Sequence, residues 1–189
     1  MKLLKAKSRA QGGFTLIELT AVIAIVAILS IVVLIGIPAV VISGKVGPAA
    51  TEMMRGMQKM KINSEGAGAT PFTTASTSGF ANLMRNGSTF AVAGVGAAST
   101  LNNSLRFLGV SAVTVAPGTL TSLGDAYDIT LSNVSDAACP QLAASVQRAA
   151  DVITINGTVV KAAGGNYIGS TAADACTLLD TNTFVFTAN

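Results

Sequence analysis

The sequence predicts an α+β fold: one long N-terminal helix packed on an antiparallel β-sheet head. Three observations carry this expectation. No charged residue occurs between Glu18 and Lys45, a run too long for a strand. Apolar residues then return at helical spacing as far as "NSEGAGATP", residues 63–71. Beyond that point the chain changes to short apolar runs separated by turn signals.

The first element is the uncharged run. Its 26 positions, Leu19 to Gly44, would extend about 39 Å as a helix, enough for a bilayer core of about 30 Å. Val, Ile, Leu and Ala occupy every side of the wheel, so no polar face exists. Lys2, Lys5, Lys7 and Arg9 precede the run and predict a cytoplasmic N-terminus. An ordinary secretory signal would have a shorter apolar stretch, with its cleavage site after it. An uncleaved signal anchor fits the composition equally well. Gly36 and Pro38 interrupt the run, Gly44, Gly47 and Pro48 follow, and kinks are expected near the two prolines. Past them the pattern becomes amphipathic. Met53, Met57 and Met60 recur on one face while Arg55, Lys59 and Lys61 fall elsewhere, which predicts methionines packed on a globular head.

In the head, "STFAVAGV" (88–95), "LRFLGVSAVTV" (105–115) and "AYDITLSNV" (126–134) read as strands, with "APGT" (116–119) as a turn. "DVITINGTVVKA" (151–162) reads as a hairpin turning at Asn156-Gly157. "ACPQLAASVQRAAD" (138–151) is the best late helix, with Leu142, Val146 and Ala149 on one face. "TNTFVFTA" (181–188) alternates as a half-buried strand should.

Composition narrows the chemistry. The net charge of +3 misleads, because four of the twelve Lys/Arg lie in residues 1–13. The remaining eight face nine Asp/Glu, a balance of −1, so no basic footprint for nucleic acid remains. With no His, the commonest general base and metal ligand is missing. No dinucleotide fingerprint or phosphate loop occurs; "GVGAAS" (94–99) lacks the third glycine. Asp125 and Asp128 are too few to make a calcium site. Asn-x-Ser/Thr at Asn86, Asn102, Asn133 and Asn156 is what chance supplies in so Ser/Thr-rich a chain. No catalytic residue, metal ligand or cofactor is assigned.

One short stretch is more specific. A basic leader, Gly13, then Phe14-Thr15-Leu16-Ile17-Glu18-Leu19 and the apolar helix resembles the class III signal of type IV prepilins and their pseudopilin relatives. The resemblance implies cleavage between Gly13 and Phe14 by a membrane-embedded prepilin peptidase, with N-methylation of the new Phe14 amine. It also implies that Glu18 of one subunit docks on the Phe14 amine of a neighbour, as the helices pack into a filament. A carboxylate at a bilayer centre costs roughly 2.5–3.5 kcal/mol, so Glu18 needs such a reason. Capping its own helix is the local alternative.

Cys139 and Cys176, both preceded by Ala, bracket the late helix and the hairpin. This resembles the disulfide-bounded C-terminal region of type IV pilins and implies a Cys139–Cys176 bond outside the membrane. The arrangement looks most like type IVb pilins, whereas Phe14 as first residue is the type IVa habit. The implied organisation is a leader over 1–13, a long helix over 14–63 with its membrane span about 14–43, and a head over 64–189. The implied function is a structural subunit, not an enzyme, of a type IV pilus. Its partners would be further copies of itself, the prepilin peptidase, the pilus assembly machinery and, before assembly, the inner membrane. The precursor would sit in that membrane with its head in the periplasm, and the mature subunit in an extracellular filament. A type II secretion pseudopilin or minor pilin shares the N-terminal motif. A signal-anchored periplasmic enzyme or binding protein would keep its leader.

Overall fold

The computed structural model describes residues 14–85 and 87–189; Asn86 and the leader, residues 1–13, lie outside the described residues. The chain falls into two compact units split between Ile37 and Pro38. Helix α1 (Leu16–Ser64) contributes to both, and the side chains of 32–36 within it are also outside the description. Pro38 and Pro48 both lie inside α1.

In the first unit Phe14 and the described apolar side chains of α1 are exposed, Leu16, Ile17, Ile23 and Ile28 among them. Among the described residues no helix is long and apolar enough to cross a membrane.

In the second unit α1 supplies one wall of the core. Ile42, Val46, Ala49, Ala50, Met53, Met57 and Met60 are all buried, a stripe with the three- and four-residue spacing of one helix face. The other wall is a seven-stranded antiparallel sheet. Its strands are β1 (Phe90–Ala93), β2 (Thr100–Asn103), β3 (Ser111–Thr119), β4 (Leu123–Val134), β5 (Val152–Ile155), β6 (Thr158–Lys161) and β7 (Asn182–Ala188). Their order is β1-β2-β3-β4-β7-β5-β6, so the last strand sits between β4 and β5. Phe184 and Phe186, on the inner face of β7, are fully buried at the centre of the sheet. The Tyr127 hydroxyl donates to the Met57 carbonyl (3.2 Å) and its ring lies 4.8 Å from that of Phe72, tying α1 to the sheet.

Three short α-helices, α2 (Thr77–Leu83), α3 (Cys139–Val146) and α4 (Gly169–Ala175), and a 3-10 turn at Gly96–Ala98 complete the described residues of the unit. α2 lies against α1 at Gly56. A Cβ there would come within 2.7 Å of the Phe80 ring and 2.5 Å of the Met84 sulfur, so the approach requires glycine.

Several local expectations change. "APGT" is not a turn but the end of β3, where Ala116, Pro117 and Gly118 pair with Asp128, Tyr127 and Ala126. A proline is tolerated there because β2 covers only Ser111–Val113, leaving the rest of β3 an edge on that side. The segment from Leu105 becomes strand only at Ser111, after a loop. α2, β2 and α4 are additional elements, each too short and too polar to show a period.

The long connection between α1 and β1 is held by one acid. Glu52 accepts hydrogen bonds from the Ser88 N–H and hydroxyl (2.7 Å each), the Thr89 N–H (3.0 Å) and the Phe90 N–H (3.2 Å). Burial works against its charge, but the Ser88 hydroxyl and the three N–H groups outweigh that and hold the carboxyl below the ordinary range. A carboxyl lowered in the folded state stabilises above its unfolded pKa, and that stabilisation disappears as pH falls through the folded value. Glu52→Gln should therefore cost about 1–3 kcal/mol at pH 7. Denaturant unfolding at pH 7 and at pH 3 should show the gap between wild type and variant shrinking in acid.

Candidate functional site

The N-terminal segment is built as a reciprocal cap. Thr15 stands just before α1 and Glu18 in its first turn. The Thr15 N–H and hydroxyl both donate to Glu18 Oε2 (2.9 Å each), and the Glu18 N–H donates to the Thr15 hydroxyl (3.3 Å). This is a capping box, which satisfies N–H groups that the first turn leaves without partners. The signal was readable as Thr-x-x-Glu, although Thr15 was not singled out from sequence. Oε2 takes both bonds, and among the described residues Oε1 takes none. Phe14 precedes the helix with 88% of its surface exposed. Gly13, the expected cleavage residue, lies outside the described residues. The bonds to Glu18 come from Thr15 and not from Phe14, so this cap needs neither the leader nor a free Phe14 amine.

The second feature is the C-terminal region of the head. Cys139 and Cys176 form a disulfide joining the first residue of α3 to the residue that ends α4. Between them lie α3, the β5–β6 hairpin and α4. The hairpin turns at Asn156-Gly157, both with positive φ (50° and 84°), as a two-residue hairpin turn demands. Asn156 does more than turn the chain. Its Nδ2 donates to the Ala175 carbonyl (2.8 Å) and to Asn182 Oδ1 (2.9 Å), while its Oδ1 accepts from the Thr183 N–H (2.8 Å).

Asn182, fully buried, completes the arrangement. Its Nδ2 donates to the Val134 and Thr177 carbonyls, and its Oδ1 also accepts from the Thr177 N–H (2.7 Å). One amide thus joins the end of β4, the segment after Cys176 and the hairpin turn. Lys161 Nζ donates to the Gln147 and Ala150 carbonyls just past α3, fixing the hairpin to that helix. The Tyr167 hydroxyl donates to the Pro140 carbonyl (3.3 Å), and burial raises its pKa. Asn156 was read from sequence only as a turn residue, and Asn182 and Lys161 were assigned no role. In so polar a chain no local spacing distinguishes a buried amide from a loop residue.

The two aspartates considered for calcium are committed elsewhere. Asp125 accepts from the Leu120, Thr121 and Ser122 N–H groups and the Thr121 hydroxyl, and these bonds hold its carboxyl well below the usual range. Asp128 accepts from the Thr187 hydroxyl (2.5 Å). Among the described residues no cluster of three or more potential metal ligands occurs.

A bond closing a loop of this length (sequence separation 37) should stabilise the head by about 4 kcal/mol on chain entropy. The Cys139→Ser, Cys176→Ser double variant should lose that amount in denaturant unfolding, and an unchanged midpoint would contradict a structural role for the bond.

Residues 8–34 match the prokaryotic N-terminal methylation motif, and residues 100–189 match the family described as PilS N terminal. No curated protein matches the chain. Its fold is similar to that of a type IV b pilin from Salmonella typhi: 24% identity, 74% of this chain and 97% of that one covered, TM-score 0.52. The pilin TcpA from Vibrio cholerae El Tor also aligns, at 16% identity over 74% of this chain and 98% of that one, with a TM-score of 0.44. In its N-terminal signal, its PilS match and its fold, the chain is similar to type IV pilins.

Proposed function

We propose that the chain is made as a membrane-anchored prepilin, cut between Gly13 and Phe14, N-methylated on Phe14, and polymerised into a type IV pilus of the IVb kind. The observation that carries this reading is the pairing of the methylation motif with an uncovered apolar helix. Residues 8–34 hold the motif, and the described apolar side chains from Phe14 to Ile31 are exposed in the single chain. Packing them against other helices would gain on the order of 10–20 kcal/mol of gross transfer free energy. Before assembly the same surface suits lipid, since 26 consecutive uncharged residues exceed the length of a bilayer core.

Glu18 sets the register. Its Oε2 serves its own helix, while Oε1, which accepts no bond among the described residues, would take a second donor. Cleavage would create such a donor, the Phe14 ammonium. In an apolar helix bundle an ion pair is worth forming because the unpaired carboxylate is costly there. The peptidase and the assembly machinery are the partners this reading requires, with further copies of the chain as the principal one. The IVb assignment rests on the arrangement of the disulfide-bounded region and on the fold shared with the Salmonella typhi protein.

Two substitutions test the reading. Gly13→Asp should leave an uncut precursor on immunoblots; efficient maturation would remove the peptidase step. Glu18→Val should insert and mature normally yet give at least tenfold fewer surface filaments. Normal filament yield from that variant would remove the docking role.

A further inference from the structure

One patch of the head gathers several exposed apolar side chains. Leu178 and Leu179 are 81% and 74% exposed, and Leu108 is 73% exposed. Phe107 and Val110 are also exposed beside Leu108. The two loops that carry these residues touch: the Phe107 N–H donates to Asp180 Oδ2 (2.8 Å), with Arg106 3.5 Å from the same oxygen. The Asp136 N–H donates to the Leu179 carbonyl (3.1 Å). Leu179 has φ +67°, a left-handed conformation that costs a leucine on the order of 1–3 kcal/mol and that glycine would adopt freely. A strained leucine displayed to solvent, within a cluster of exposed apolar side chains, is a surface built to be covered.

The other end of β7 offers a counterpart. A cavity of about 310 Å³ is lined by the apolar Met54, Met57 and Ala149, by Tyr127, Gln58 and Asn189, and by the two cations Lys61 and Arg148. That volume accommodates one or two leucine side chains. Among the described residues neither cation has a carboxylate partner. The nearby acid, Asp151, is occupied by the Asn189 N–H. The patch carries Asp136 and Asp180 against the one cation Arg106, and Asp180 Oδ1 is buried without a hydrogen-bond partner among the described residues. Patch and cavity therefore each carry an apolar part and are opposite in sign of charge. They cannot meet within one head. The patch immediately precedes Asn182 and the cavity includes Asn189, so the length of β7, roughly 20 Å at about 3.3 Å per residue, separates them.

We infer that the heads of successive subunits stack head to tail, the Leu178–Asp180 loop of one copy entering the Lys61–Arg148 cavity of the next. Two different patches joined in this way form a heterologous contact, which propagates as an open helix. The exposed apolar area of the patch is on the order of 300–400 Å². A stable isolated pair buries roughly 800 Å² per partner, so separate heads would not associate. Within a filament the helices hold neighbouring heads at millimolar effective concentration, where a contact of this size suffices. The inference rests on the filament reading above.

The test uses filaments of the full chain carrying p-benzoylphenylalanine in place of Leu178. Irradiation should join copies of the chain, with the second peptide drawn from 54–61 or 148–149. Filaments whose cross-links fall elsewhere on the head, reach a different protein, or do not form would overturn the stacking while leaving the filament reading intact. Absence of filaments from the wild-type chain would instead strike at that reading. The charge arm is independent of the probe. Lys61→Glu with Arg148→Glu should lower filament yield at least tenfold relative to the control Arg55→Glu, and equal yields would overturn the proposal.

Discussion

The structure depends on how one helix disposes of its apolar surface. Over Pro38–Ser64, α1 presents a single apolar face, and that face is spent inside the head on Phe80, Tyr127 and the inner side of the sheet. Over Leu16–Ile31 the helix is apolar all round, and the described side chains have nothing of their own chain to cover them. Burial of such side chains is the largest favourable contribution available to any fold or assembly. A helix with one satisfied part and one unsatisfied part makes the molecule a component. This is why the proposed function is polymerisation and why no pocket chemistry is needed to explain the chain.

Glu18 acquires its meaning from that setting. Alone it reads as an expensive charge in an oily helix. The capping box with Thr15 shows that half of the carboxylate already repays its presence by closing the first turn. Local capping and the proposed subunit docking are therefore compatible, since Thr15 uses Oε2 and, among the described residues, Oε1 accepts no bond. The head adds a second layer of order. The disulfide fixes the ends of α3 and α4, and the Asn156–Asn182 pair fixes the hairpin against both. The Leu178–Asp180 loop lies between these two constraints, after Cys176 and before Asn182.

Legibility followed periodicity. The α1 methionines, the β5–β6 hairpin and β7 were readable because each repeats a pattern at the period of its element, and buried Met53, Met57 and Phe184 sit where that pattern puts them. β4 was readable from its β-branched alternation. "APGT" misled because a turn signal is local, whereas the partner that makes it strand, β4, and the missing cover from β2 are not. α2 and α4 have seven residues each, too few to display a period. In the candidate site, Glu18 and both cysteines stood out as rare residue types in informative places. Glu52, Asn156 and Asn182 did not, because each bonds backbone groups 19 to 48 residues away, visible only once the chain is folded. A carboxylate that gathers three N–H groups from a distant loop leaves no mark in its own neighbourhood of the sequence.

The account turns on the chain being a cleaved subunit whose helix lies inside a filament. The measurement that addresses this most directly is the intact mass of the protein recovered from sheared surface filaments, with its N-terminal peptide sequenced. The account predicts a polypeptide beginning at an N-methylated Phe14, with Cys139 and Cys176 still joined. A chain that keeps its leader, or that is found only in the cell envelope and never in filaments, would contradict it.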